Sequence, residues 1–144
     1  MQSAVLDACV LYPAPLRDFL MRLALWLYQP KWTEAIHDEW IRNVLGDRPE
    51  LSQTRLERTR DLMNRNGGDC LVMGYEALIP TLTLPDPGDR HVLAAAIIAK
   101  APVIVTFNLS DFPAKALMPY QIRAIPPDDF AVSLYRSEPE EFVR

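Results

Sequence analysis

The chain has 144 residues, of which 49% are hydrophobic and 24% charged, with a net charge of −4. This is enough for one domain with a full core and not comfortably enough for two, and the negative balance argues against binding nucleic acid by bulk electrostatics. No apolar run has transmembrane length and no charged-then-apolar leader is visible, so a cytoplasmic protein with no membrane partner is expected. Cys9 and Cys70 both lie in apolar, strand-like runs and read as reduced core residues. With only His37 and His91 besides, zinc and histidine-rich sites are excluded.

Residues 4–11, AVLDACVL, form an apolar run with one carboxylate, Asp7, in its middle. A run this short reads as a strand buried on both faces, as in a parallel sheet. A buried carboxylate is costly unless it is paired, neutralised or bound to a metal. Asp7 therefore belongs at the carboxyl end of a central strand, where open α/β sheets place their ligands. Residues 16–28 read as a helix with Leu16, Phe19, Leu20, Leu23 and Leu27 inward, ended by Gln29-Pro30.

Thr33 is the expected N-cap of a second helix, with Ile36, Trp40 and Val44 as its stripe and Gly46 as its stop. A third helix over residues 51–66 carries Leu56, Leu62 and Met63 inward; its arginines read as a solvated face. Residues 70–73 are expected to form a short strand and residues 75–79 one helical turn, whereas 80–84 is ambiguous between loop and strand. Residues 91–100, HVLAAAIIAK, are apolar nearly all round and predict a helix against the sheet. Residues 103–107 and 121–125 are the remaining strands, and a last helix starts at Pro127-Asp128-Asp129. The alternation predicts an α/β fold, a single-domain α/β/α sandwich with a central, mostly parallel sheet of about four to five strands. The domain is placed at residues 1–136, and residues 137–144 read as a charged, fraying tail.

Four acids stand out, and each has a plain structural alternative. Asp7 could be a strand-end residue capping a loop. Glu39 lies at the edge of the helix stripe beside Trp40, and helix reasoning alone favours a solvent-facing carboxylate. In Asp86-Pro87-Gly88-Asp89, Asp86 fits an N-cap, Pro87 the first helical position and Asp89 the first turn, so both acids could be structural. Asp111 follows the 103–107 strand together with Asn108, where ordinary turn chemistry also favours these residue types. Gathered on one sheet edge, such acids repel one another and raise one another's pKa values unless a cation intervenes. Oxygen-only ligands suit Mg²⁺ or Mn²⁺.

The segments VLDACVLYPAPLRDFL, EAIHDEW, LPDPGDRHVLAAAI and IVTFNLSDFP, in this order, resemble the PIN-domain nucleases, in particular the bacterial group that includes the toxins of VapC-type toxin–antitoxin pairs. The resemblance runs through nearly the whole chain, to Pro126-Pro127-Asp128-Asp129-Phe130, and rests on the order Asp, Glu, Asp, Asp rather than on any one segment. It implies a PIN-like fold and a Mg²⁺- or Mn²⁺-dependent ribonuclease in which Asp7, Glu39, Asp89 and Asp111 are the catalytic metal ligands. Many relatives carry an acid where this chain has Asn108. The fourth place therefore falls to Asp111 or to Asn108 as a neutral ligand. Thr106 fits a supporting hydrogen bond, and Asp86 a cap or an alternative ligand. Arg90 reads as a solvated helix-start arginine, with phosphate contact the weaker possibility.

The family implies an RNA substrate, a small antitoxin that blocks the acidic cleft, and a homodimer. Trp26, Tyr28 and Trp32 could supply an interface, but core burial is the favoured reading. The competing reading is a PIN-like scaffold that binds RNA or protein without cutting. An aspartyl-nucleophile phosphatase would want an acid two residues after Asp7, where Cys9 stands. A receiver domain would want an acidic pair near the first strand, and the single Asp7 fits it poorly.

Overall fold

A computed structural model describes residues 1–137 of the chain. Its centre is a four-stranded sheet, all parallel, formed by β1 (Ser3–Leu6), β2 (Gln29–Lys31), β3 (Val103–Val105) and β4 (Arg123–Ile125) in the order β2-β1-β3-β4. Ala4 stands opposite both Pro30 and Val103, and Ile104 stands opposite Ala124. Helices α1 (Ala8–Leu11), α2 (Ala14–Ala24), α3 (Glu34–Asp47), α4 (Gln53–Asn66), α5 (Arg90–Ala99), α6 (Ala114–Leu117) and α7 (Pro127–Ser137) flank it. α5 packs on β1 and β3, while α1 packs on α2 and α3. The architecture is the α/β sandwich predicted from the alternation. The charged segment 138–144 lies outside the described residues.

The strand order carries the functional information. From β1 the chain moves outward to β2 on one side, and from β3 outward to β4 on the other. The direction of winding therefore reverses between β1 and β3. In parallel sheets this reversal opens a crevice beyond the strands' carboxyl ends, because the two adjacent connections diverge to opposite faces. Asp7 follows β1 directly and Thr106 follows β3 directly, so both stand at that crevice.

Several elements differ from their sequence expectation. The 4–11 run is not one strand. It stays extended only to Leu6, and Asp7 then accepts the Ala8 N–H and starts the single turn of α1. Cys9 consequently sits half-buried on a helix, not in a core strand, whereas Cys70 is buried; both are free thiols. Gln29-Pro30, expected only to end a helix, forms the edge strand β2. An edge position tolerates Pro30 because one side of the strand needs no ladder donor. Residues 70–73 form no full strand and make a single parallel bridge, Trp32 to Leu71. The turn expected at 75–79 is a 3₁₀ segment, Glu76–Thr81.

Thr33 caps α3 by accepting the Ile36 N–H at 3.0 Å, but the helix passes through Gly46 and ends one residue later. Met63 points inward as expected, whereas Leu62 and Phe19 face solvent. Trp32 and Tyr28 are fully buried, and Trp26 is 66% exposed. Arg17, on α2, is buried. Its guanidinium lies 4.5 Å from the Trp40 ring centre and donates to the Leu11 carbonyl at 2.7 Å. A one-turn helix leaves its last carbonyls without intrahelical donors, and Arg17 fills that need for α1.

A second polar cluster joins α3 to α4. The Trp32 and His37 ring N–H groups converge on Asn64 Oδ1, at 2.7 and 2.9 Å, and Trp40 Nε1–H donates to His37 Nδ1 at 3.0 Å. An indole N–H can only donate, so Nδ1 must accept and the imidazole proton resides on Nε2. Burial pushes the His37 pKa down, which keeps the ring neutral.

Candidate active site

Asp7 is the most buried of the acids, with 5% of its surface exposed. Its two oxygens have separate partners: Oδ1 accepts the Ala8 N–H at 2.8 Å, and Oδ2 accepts the Thr106 hydroxyl at 2.9 Å. The Thr106 Oγ1 in turn accepts the Asn108 N–H at 3.0 Å, so one hydroxyl ties the end of β1 to the loop after β3. Burial raises the Asp7 pKa; the bonds from Thr106 and Ala8 oppose that, and the negative Glu39 adds to it. Cys9 Sγ lies 3.7 Å from Asp7 Oδ2 and 3.4 Å from Thr106 Oγ1, filling the space behind the carboxylate.

Glu39 projects from α3 and is half-buried rather than solvated, with Oε1 3.6 Å from His91 Nε2. His91 has a buried Nδ1 without a hydrogen-bond partner. Sequence reasoning did not connect this histidine to the acids. Its signal was available: it lies two residues beyond Asp89, at the first turn of a helix that had to pack on the sheet.

The two acids of the 86–89 segment divide. Asp86 is exposed and caps a 3₁₀ turn, Pro87–Asp89, by accepting the Gly88 N–H at 2.8 Å. Asp89 occupies the N-cap position of α5 but makes no side-chain capping bond. Its carboxyl is pushed up to about 6, first by burial and then by the negative charges of Asp7, Asp111, Asp86 and Glu39. Asp86 thus makes the capping bond, while Asp89 stands at the start of α5, where its charge suits the helix dipole, without a side-chain hydrogen bond to the backbone. Arg90 directs Nε to the Pro87 carbonyl at 3.1 Å, which braces the same turn.

On the far wall, Asp111 ends a 3₁₀ turn, Leu109–Asp111, and is half-buried within electrostatic range of Asp89. Asn108 is exposed and borders a cavity of about 730 Å³ together with Glu39 and Cys9. Asp7, Glu39, Asp89 and Asp111 therefore share one electrostatic neighbourhood at the sheet crossover, drawn from β1, α3, α5 and the loop after β3. Among the described residues no three carboxylates, histidines or thiols close to metal-holding distance. The donors are nevertheless all hard oxygens, and their mutual repulsion is the field a divalent cation relieves. A wide carboxylate set fits Mg²⁺, which is held through few carboxylates and keeps several waters.

No family model matches the chain. A curated protein of Mycobacterium tuberculosis (strain ATCC 25618 / H37Rv), named "Putative ribonuclease VapC50", is 67% identical to it over 57 residues. The matched segment covers 40% of this chain and 33% of that protein, so the likeness spans about a third of the relative's length. This partial likeness, together with the strand order, supports the resemblance of this chain to the VapC-type group of PIN-domain nucleases.

Proposed function

We propose that the chain is a metal-dependent endoribonuclease that hydrolyses RNA phosphodiester bonds, and that it acts as the toxin of a toxin–antitoxin pair. The observation that carries this reading is that Asp7, Glu39, Asp89 and Asp111 lie within electrostatic range of one another at the sheet crossover, with no Lys or Arg ion-paired to any of them among the described residues. The likeness to a protein named as a ribonuclease supports it.

The residues have separable tasks. Asp7, held by Ala8 and Thr106, is the fixed point of the site, and Asp89 and Glu39 offer carboxylates that are not used up by capping. Asp111 supplies the fourth acid, and Asn108 lines the approach beside Glu39. A bound Mg²⁺ or Mn²⁺ supplies an acidified water and charge neutralisation at the phosphoryl oxygens. Without a cation, burial and the neighbouring negative charges push the Asp89 carboxyl up to about 6, a repulsion that a bound divalent cation would relieve. His91 restrains Glu39 at the wall of the cleft. The chain needs no protein nucleophile for this hydrolysis.

A protein partner is supported by a groove of about 520 Å³ between α2 and α4, lined in part by Met21, Leu25 and Leu62. No helix among the described residues is long and apolar enough to cross a membrane.

The test is cleavage of single-stranded RNA with Mn²⁺ or Mg²⁺, wild type against Asp7→Asn, with chelation as a control. Asn keeps an acceptor for the Ala8 N–H but removes the charge, and cleavage should fall by a factor of about 100 or more. Equal metal-dependent cleavage by both proteins would remove Asp7 from the site. RNA binding without cleavage by the wild type would favour a silent binding module instead.

A further inference from the structure

The cavity bordered by Glu39 and Asn108 extends well beyond the acids. Its walls are Cys9 and Tyr12 from α1 and its continuation, and Arg42, Asn43, Gly46 and Asp47 from α3. We infer that this groove is a nucleotide-binding subsite that holds the base next to the cleaved phosphate and sets the base preference of the cut. The inference rests on the ribonuclease reading above.

Four features of the groove point to a base with its phosphate. First, position: Glu39 belongs both to the acid cluster and to the groove wall, so a nucleotide seated here has its neighbouring phosphate at the acids. Second, hydrogen bonding: Asn43 is exposed, and among the described residues its side-chain amide makes no hydrogen bond, as is also true of the Asn108 amide. An amide offers both donors and acceptors, the combination that reads a base edge in single-stranded RNA. Third, a platform: the Tyr12 hydroxyl donates to Asp47 Oδ2, which holds the half-buried phenol ring against the groove. Fixed aromatic rings stack bases at little entropic cost.

Fourth, the charge balance selects the kind of contact. Arg42 has no ion pair among the described residues, but it shares the groove with Glu39 and Asp47, and Asp47 is already bonded to Tyr12. One cation against two carboxylates among the lining residues suits an uncharged base. It does not suit a long run of backbone, which would need several cations.

Gly46 marks the open end. It stands inside α3, where glycine is a poor helix former, and a Cβ added there would meet nothing within 4 Å. The glycine is therefore not needed for close packing within the chain; it leaves the groove unobstructed. A larger side chain at this position fills the groove without touching the acids.

The experiment titrates the wild-type chain with the four nucleoside 5′-monophosphates and follows backbone amide shifts by NMR. The expected result is a set of shifts confined to Tyr12, Arg42, Asn43, Gly46 and Asn108, with affinity that differs between bases. Arg42→Ala should weaken binding about tenfold, the size of one lost nucleotide contact. Gly46→Leu should abolish the shifts while its melting temperature stays at or above that of the wild type. In RNA cleavage, Asn43→Ala should change the base found beside the cut. Shifts elsewhere, no shifts, or a Gly46→Leu protein that titrates like the wild type would overturn the subsite. A chain that binds nucleotides in the groove yet never cuts RNA would uphold the subsite and overturn the ribonuclease reading. A groove that ignores nucleotides but binds an arginine-rich peptide would make it a protein-docking surface and overturn the inference.

Discussion

His37 and Glu39 stand two residues apart on α3 and live in opposite circumstances. His37 is wholly buried, and both ring nitrogens are satisfied, one by Asn64 and one by Trp40. Glu39 is half-buried, has one long contact to His91, and shares its surroundings with other negative charges. The first group is matched because an unmatched one in the interior would cost the fold several kcal/mol. The second has only that one contact among the described residues, in a neighbourhood of other carboxylates. The first cluster serves the fold, and on the function proposed above the second would serve chemistry.

Substitutions on the two sides should separate these roles. Glu39→Gln should lower metal-dependent RNA cleavage about a hundredfold, as loss of a charged site ligand does, with a melting temperature no lower than the wild type. A rate assay beside a thermal melt decides it, and a large fall in melting temperature would move Glu39 to the structural side. Asn64→Ala should do the reverse. It strands the Trp32 and His37 N–H groups and should cost about 2–3 kcal/mol in urea denaturation, while cleavage per folded molecule is retained. A silent Asn64→Ala in urea would mean the network does not stabilise the fold.

Acidity distinguishes the clusters further, because their pKa values are displaced in opposite senses. His37 is a base with its pKa lowered from 6.5, so its contribution is whole above that value and is lost as pH falls below it. Asp89 is an acid raised from 3.8 to about 6, so the folded state holds its proton more tightly. Its share of stability is therefore present below about pH 4 and is lost as pH rises through 6. In metal-free protein, Asp89→Asn should remove that loss and add about 1 kcal/mol above pH 6, the shift being discounted for solvent screening. Melting curves across pH, with and without Mn²⁺, measure both slopes. Mn²⁺ should flatten the Asp89 slope in the wild type only. The smallest effect belongs to Asp86→Ala, which deletes the cap on Gly88 and should cost about 0.5–1 kcal/mol. Calorimetric Mn²⁺ titration should then show affinity close to the wild type, and a collapse of affinity would return Asp86 to the ligand set.

The parts of the fold visible in the sequence are those where one local rule acts alone. The β-branched run at Val103–Val105, the Thr33 cap and the apolar α5 all follow from composition and spacing over a few residues. The misreadings arise where a distant partner decides. Gln29–Lys31 is a strand because β1 needs a neighbour, and Lys31 is accommodated at the edge by the Asp69 carbonyl at 2.7 Å. Arg17 is buried because α1 is too short to satisfy Leu11, a fact visible only once Asp7 ends β1. The sequence singles out Asp7, Glu39, Asp89 and Asp111 by their order, yet helix logic alone could not separate Asp86 from Asp89. The separation depends on which carboxylate turns back to a backbone N–H and which faces the sheet edge.

The link between Asp7 and Thr106 spans 99 positions of the chain, and this separation governs when the site can exist. During synthesis the amino-terminal part leaves the ribosome first and begins to fold as it emerges. Through that interval β1 can pair with β2, but the other flank of Asp7 has no occupant, and neither Asp111 nor the wall formed by β3 has been made. On the ribonuclease reading proposed above, the chain is thus assembled beside the ribosome's own RNA with its acid cluster still in pieces. The order of the residues alone would delay that hazard until β3 and the loop after it have been made.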